Sequence, residues 1–336
     1  MRSKLKIGKI DSDILGNLIA DYTGRGDRVL IGAGIGEDAA VIDMGSSYLV
    51  AKTDPITHAT SEIGHYAVNI NANDIAAMGG KPLWFLATIL MPASSSAKEL
   101  RRVFSQLSKS CKDLGVTYCG GHTEVTTSVK NPVVIGQMLG EVERCNLKPT
   151  AAAREGDDLI MTKWSAIEAT AIIALEKEKQ LSGHLRKELI KKAQNYLHNP
   201  GISVVQEASI VASVEQVHAL HDPTEGGIAT GIFEMATASN LGVEVYCDKI
   251  PVSEETRIMC ELFDLDPLGT FASGSLLIAA APSVSEEVIG RIEAEGIKAT
   301  RVGIMKAPKE GMRMIKQGKT LPLPVYHQDE LSKIFG

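Results

Sequence analysis

A chain of 336 residues exceeds the roughly 250 to 300 residues at which a single hydrophobic core stops growing, so two domains are expected. With 44% hydrophobic and 23% charged residues and no low-complexity tract, the composition excludes a largely disordered chain. A net charge of -6 without clustered Lys and Arg argues against a nucleic-acid partner, and no run of about 18 apolar residues offers a membrane span.

The opening segment MRSKLKIGKIDSDI carries basic residues but no apolar stretch of the secretory kind, so a cytoplasmic location is expected. Cys111, Cys119, Cys145, Cys247 and Cys260 are scattered and odd in number, which suggests neither a zinc site nor a disulfide framework. The segments AAVIDM and YLVAKT, joined through Gly45, Ser46 and Ser47, predict a hairpin. Ile63, Ala67, Ile70, Ile75 and Met78 recur at helical spacing and stop at Gly79 and Gly80. A strand LWFLATILM follows. Ser96 with Glu99 forms a capping box ahead of the stripe Leu100, Val103, Leu107 and Leu114, which closes at Gly115. Strands are predicted at 116–119 and 132–142, and Pro149 and Gly156 mark a boundary inside 143–157. The expected division is therefore 1–147 and 148–336. The second half alternates strands (DLIMTKW, VHAL, VEVYC, GSLLIAA, KATRVGIM) with helical segments, an α/β arrangement whose sheet need not be wholly parallel.

Gly32-Ala-Gly34-Ile-Gly36-Glu-Asp38 invites a phosphate-loop reading, but these glycines lead into a strand, and the spacing is not that of a dinucleotide fold. Gly318-Lys319-Thr320 fails as a Walker motif, because position 313 is Arg313 where a glycine is needed. What remains is a set of acids at strand ends and loops: Asp38, Asp54, Asp74 and Asp222. Asp74 shares a helix face with Asn71 and Met78 in an otherwise apolar segment, so its carboxylate needs a partner or a metal. Acids gathered from separate strands suit a magnesium-nucleotide site, although any one of them also fits a cap or turn.

GEDAAVID, KTDP, NANDIAAMGGKP, GGHTEV and DPTEGG, in this order over nearly the whole chain, resemble the aminoimidazole ribonucleotide synthase-like (PurM-like) superfamily. Its members include thiamine-monophosphate kinase, selenophosphate synthetase and HypE-type hydrogenase maturation factors. The resemblance implies an α/β (α+β) fold: an N-terminal domain forming a dimeric β-barrel flanked by helices, and a C-terminal α/β sandwich domain. It further implies a homodimer that binds ATP and Mg2+ in a cleft, with Asp38, Asp54 and Asp74 as metal ligands. Gly34, Gly36, Asn73, Gly120, Gly121, Thr123, Gly226 and Gly227 would be nucleotide contacts, the last two through free amides at a helix start.

DPTEGG and FASGSLLIAA look most like the HypE type, whose members modify a cysteine at the extreme C-terminus; this sequence ends Leu331-Ser-Lys-Ile-Phe335-Gly336, so that chemistry is not expected here. Where relatives have an acid after glycine, this chain has His122, which can bind nucleotide, act as a base, or be a neutral replacement, with Glu124 on the same face of an extended segment. At Lys163-Trp-Ser-Ala-Ile-Glu-Ala169, relatives often have a glycine-rich loop; Glu168 can still face the cleft. Phosphoryl transfer from ATP to an oxygen of a small acceptor is the expected chemistry, with Asp222, and with it His122 and Glu124, orienting or deprotonating that acceptor, which the sequence does not name. Two alternatives stand beside it: a non-catalytic nucleotide-binding scaffold acting with a maturation partner protein, and a thiamine-monophosphate kinase-like enzyme.

Overall fold

A computed structural model describes residues 10, 12–24, 26–34, 36–57 and 61–335. The first half supplies α1 (Ser12–Tyr22), β1 (Val29–Ile31), β2 (Ala40–Asp43), β3 (Tyr48–Ile56), α2 (Ile63–Ala77), β4 (Lys81–Pro92), α3 (Ala97–Asp113), β5 (Thr117–Thr126) and β6 (Val133–Val142). Its six strands form one sheet in the order β1-β2-β3-β6-β4-β5, with β4 and β5 parallel and the other neighbours antiparallel. The β2–β3 hairpin turns where glycine and serine predicted it, with Asp43 opposite Tyr48. On α3 the Ser96 hydroxyl accepts from the Glu99 amide while the Glu99 carboxylate accepts from the Ser96 amide, the reciprocal cap read from sequence.

β5 departs from expectation. The strand expected at 116–119 runs on without a break to Thr126, bulged where Cys119 interrupts its register with β4. Gly121 makes the strand possible: φ is +142°, and a Cβ there would overlap the Ala87 carbonyl oxygen of β4.

The second half supplies β7 (Asp158–Thr162), α4 (Ile167–Glu176), α5 (Glu178–Leu181), α6 (Lys187–Gln194), α7 (Val205–Ala212), β8 (Val217–His221), α8 (Gly227–Ala238), β9 (Gly242–Tyr246), α9 (Glu254–Leu262), β10 (Leu277–Ala280), α10 (Ser285–Ala294), β11 (Ala299–Lys306), β12 (Met312–Lys316), β13 (Lys319–Pro322) and α11 (Ser332–Phe335). Its seven strands run β13-β12-β9-β11-β7-β10-β8, and only β9 and β12 are parallel. Successive residues of β7 and β10 enter different cores: Leu159, Met161, Leu277 and Ala279 pack with α8, whereas Ile160, Ile278 and Ala280 pack with α7 and α10. Both faces are covered, which is why these strands read as continuous apolar runs. Gly318-Lys319-Thr320 lies in the turn and first residues of the β12–β13 hairpin.

α2 lies between the two halves. Every residue of it but His65 and Ile70 is buried, and its core cluster includes Ile167, Ala171, Tyr196 and Ile202 from the second half. A helix covered all round has no polar face for its asparagines, so each clamps backbone. Asn71 accepts from the Asp54 amide and donates to the Ala67 carbonyl; Asn73 donates to the Ile202 carbonyl and accepts from the Val204 amide. No described helix is long and apolar enough to cross a membrane.

Candidate active site

Three carboxylates meet where α2, the start of β2 and the end of β8 converge. Asp38, Asp74 and Asp222 are each no more than 7% exposed, and one oxygen from each lies within 4.8 Å of the others. Lys52 on β3 reaches Asp74 at 2.9 Å and Asp54 at 3.6 Å. His221 is ion-paired with Asp38 at 2.9 Å and with Glu234 on α8 at 3.3 Å, and the Thr150 hydroxyl also donates to Asp38. Burial works against charge on both Lys52 and His221, but the surrounding acids outweigh it and hold both protonated.

Two cations answer only part of this charge. Burial, opposed by Lys52 but reinforced by Asp54 and Asp38, pushes the Asp74 carboxyl up to about 7. Burial together with Asp74 and Asp38 raises Asp222 well above the usual carboxylate range. Both Asp222 oxygens and Oδ2 of Asp74 have no hydrogen-bond partner. Unpartnered carboxylate oxygens in a buried, net-negative cluster fit a hard divalent cation such as Mg2+, which takes carboxylate oxygens and leaves further positions for phosphate. Beside the cluster, the glycine segment lines a cavity of about 260 Å3 between Leu30, Ala33, Gly34, Glu37 and Ala238 of α8. Gly36, at φ +81°, brings its backbone against the Glu234 carbonyl.

The structure sorts the predicted residues. Asp38 and Asp74 are together; Asp222, expected to serve the acceptor, stands with them; Asp54 stands a step outside, linked through Lys52. Asn73 does not face the cluster, because its amide is used entirely in the 202–204 clamp. The helix-start amides are not free either: Gly226 donates to Asp329 and Gly227 to the Thr224 carbonyl. Gly120, Gly121, His122, Thr123 and Glu124 lie on β5, where His122 pairs with Glu124 at 3.2 Å with both side chains exposed. His122 is in register with Thr88, then Ile135, then Pro55 beside Asp54, three strand spacings or roughly 14 Å away. Within one chain, β5 therefore does not join the carboxylates. Lys52 and His221 escaped the sequence reading although they sit inside KTDP and HDPTEGG; a basic residue two positions before Asp54 and one before Asp222 was the available signal.

The backbone also answers the lost glycines. Lys163 and Ala166 hold φ of +54° and +59°, so the β7–α4 connection keeps a left-handed shape without glycine. Lys163 is then anchored by a buried ion pair to Glu207 at 2.6 Å.

This architecture, two mixed sheets sharing a buried helix whose acid meets acids from both halves, belongs to a class that comparison with known proteins identifies. Residues 36–142 match the AIR synthase related protein N-terminal domain and residues 154–315 its C-terminal domain, and the chain is a member of that family. It is 27% identical over 268 residues, 77% of each chain, to a Methanocaldococcus jannaschii protein carried under a provisional hydrogenase expression/formation name. It is 26% identical to the carbamoyl dehydratase HypE of Cupriavidus necator, covering 80% of this chain and 76% of that one, and 26% identical to the thiamine-monophosphate kinase of Pyrococcus horikoshii, covering 84% and 92%. In fold it is similar to a hydrogenase maturation protein HypE solved with ATP (TM-score 0.73, 22% identity, 95% of this chain and 96% of that one) and to HypE in complex with HypF (TM-score 0.76, 18% identity, 94% and 100%).

Proposed function

We propose that the protein binds Mg-ATP and transfers a phosphoryl group to an oxygen of a small acceptor. The observation that carries this reading is the cluster of Asp38, Asp74 and Asp222 with its unpartnered oxygens. Asp38, Asp74 and Asp222 would hold the ion, whose contribution is to neutralise phosphate charge; such charge neutralisation dominates catalysis of phosphoryl transfer. Lys52, fixed between Asp74 and Asp54, presents a permanent positive charge at the same place. The HypE structure solved with ATP supports the nucleotide. The HypE–HypF complex supports a maturation partner protein, and thiamine-monophosphate kinase keeps a small-molecule acceptor equally in view.

A homodimer belongs to this reading. Among the described residues β5 ends its sheet with one edge unpaired, and its ten residues are exposed or half-buried along their whole length. Such an edge is a template for another chain, and a second copy is the way His122 and Glu124 would come near a nucleotide. A cytoplasmic setting, where ATP is abundant, suits the same reading.

The test is the thermal shift with ATP, ADP and GTP, each with and without Mg2+. At a hundred times Kd, binding to the folded state adds about 2.7 kcal/mol. A shift requiring both ATP and Mg2+ is expected; equal shifts with and without the metal would remove the carboxylate assignment.

A further inference from the structure

A second cavity, of about 440 Å3, opens in the C-terminal half of the chain. Four separate stretches meet around it: the turn after β9 with Cys247 and Ile250, the turn after α9 from Asp264 to Leu268, the end of β12 at Lys316, and the tail with Glu330 and Lys333. β8 and β9 run in the same direction, so Asp222 and this cavity lie at the same end of the sheet. Three strands, β10, β7 and β11, stand between them, a separation of four strand spacings or roughly 19 Å. The cavity is therefore distinct from the carboxylate site, and its volume falls in the range of small-ligand pockets, about 300–1,000 Å3.

Its floor is apolar, with Ile250, Leu265 and Leu268 buried and Pro267 beside them. Its walls are charged, but most of that charge is committed. Asp266 accepts from the Leu268 amide through Oδ1 and from the Tyr326 hydroxyl through Oδ2. Glu330 accepts from the Asp266 amide and pairs with Lys333. These bonds brace the wall, and a pocket already shaped before its ligand arrives loses less to ordering. Two groups are left over. Lys316 and Asp264 line the same cavity and are both exposed, yet neither side chain makes a hydrogen bond or ion pair among the described residues. A cation and an anion on separate stretches of chain, unpaired with each other above one apolar floor, offer both charges to a single small molecule.

We propose that this cavity binds a small zwitterion with an apolar side chain, the chemistry of an apolar α-amino acid. Lys316 takes the carboxylate and Asp264 the ammonium, each as a charge-assisted hydrogen bond. The side chain lies on Ile250, Leu265 and Leu268 and removes their surface from water. A ligand with one charge would leave the other wall group unanswered. The site goes beyond phosphoryl transfer and does not depend on it.

The experiment is calorimetric titration of the full chain with L-leucine, L-methionine and L-phenylalanine, against isoamylamine, which lacks the carboxylate, and isocaproate, which lacks the amine. At least one of the amino acids should bind about tenfold or more tightly than either control. Lys316→Met should abolish the preference over isoamylamine. Asp264→Asn, a residue that tolerates the left-handed backbone held there at φ +53°, should abolish the preference over isocaproate. Both side chains are exposed, so neither substitution should move the melting temperature appreciably. In the unaltered chain, a saturating amino acid should slow alkylation of Cys247 by iodoacetamide several-fold and leave the exposed Cys119 and Cys145 unaffected, read by peptide mass spectrometry. Amino acids that bind no better than the singly charged controls, preferences unchanged in both variants, or Cys247 alkylated equally fast with and without ligand would each overturn the site.

Discussion

Replacing Asp222 by Asn should stabilise the protein without metal and abolish its response to Mg-ATP. Asp222 is 3% exposed, has no partner on either oxygen, and lies against Asp38 and Asp74. An uncompensated buried polar group costs about 1–3 kcal/mol, more when charged, and the substitution removes the charge while keeping the volume. At about 2–4 °C per kcal/mol for domains of roughly 150–250 residues, the metal-free melting temperature should rise by roughly 2 to 12 °C. The sign depends on pH. Because burial and two acids raise the folded-state pKa, ionised Asp222 weakens folding above that pKa, and the penalty vanishes as pH falls below the unfolded value near 4. The advantage of the variant should thus be present in mildly alkaline buffer and fade in acid. Differential scanning calorimetry with chelator, then with Mg-ATP, reads both halves. A variant less stable than wild type in chelator, with an intact Mg-ATP shift, would refute the reasoning.

The glycines of β5 should differ sharply: Gly121→Ala forces a Cβ into the Ala87 carbonyl and should cost more than about 3 kcal/mol, whereas Gly120→Ala, with φ +147° but open space, should cost about 1–2. Urea titration of both variants checks this, and equal losses would contradict the close β4–β5 approach. His65 supplies a second pH effect. Burial first, and His198 beside it, lower its pKa to about 4, so the unfolded chain takes up a proton below about 6.5 that the folded one refuses. Stability should decline by up to about 3 kcal/mol between pH 6.5 and 4, and His65→Gln should flatten that part of the profile. A profile unchanged by the substitution would mean that other groups carry it.

How much was legible can be followed residue by residue. The α3 cap, the β2–β3 turn and the order of strands and helices from β7 to β11 are local: they depend on side chains a few positions apart, and the structure repeats them, while the β12–β13 hairpin beyond was not read. The family was legible as well, because its motifs are short runs in fixed order. Asp74 stood out as an acid in an otherwise apolar helical segment, a charge that is anomalous wherever the chain goes, whereas Asp38, Asp54 and Asp222 could be read only as acids at strand ends and loops.

Only the tertiary structure decided the rest. Asn73 and Asn71 look alike in sequence, yet one ties α2 to residues 202–204 and the other to β3, because a helix buried on all sides meets a different neighbour at each 100° of turn. Asp329, more than a hundred positions from Gly226, takes an amide that the sequence offered to phosphate. His221 becomes a charged bridge between Asp38 and Glu234 through a contact spanning 183 positions. The sequence by itself determined which side chains carry charge and where the backbone turns; which charges meet was decided by packing, since electrostatic partners are set by distance in space and not along the chain.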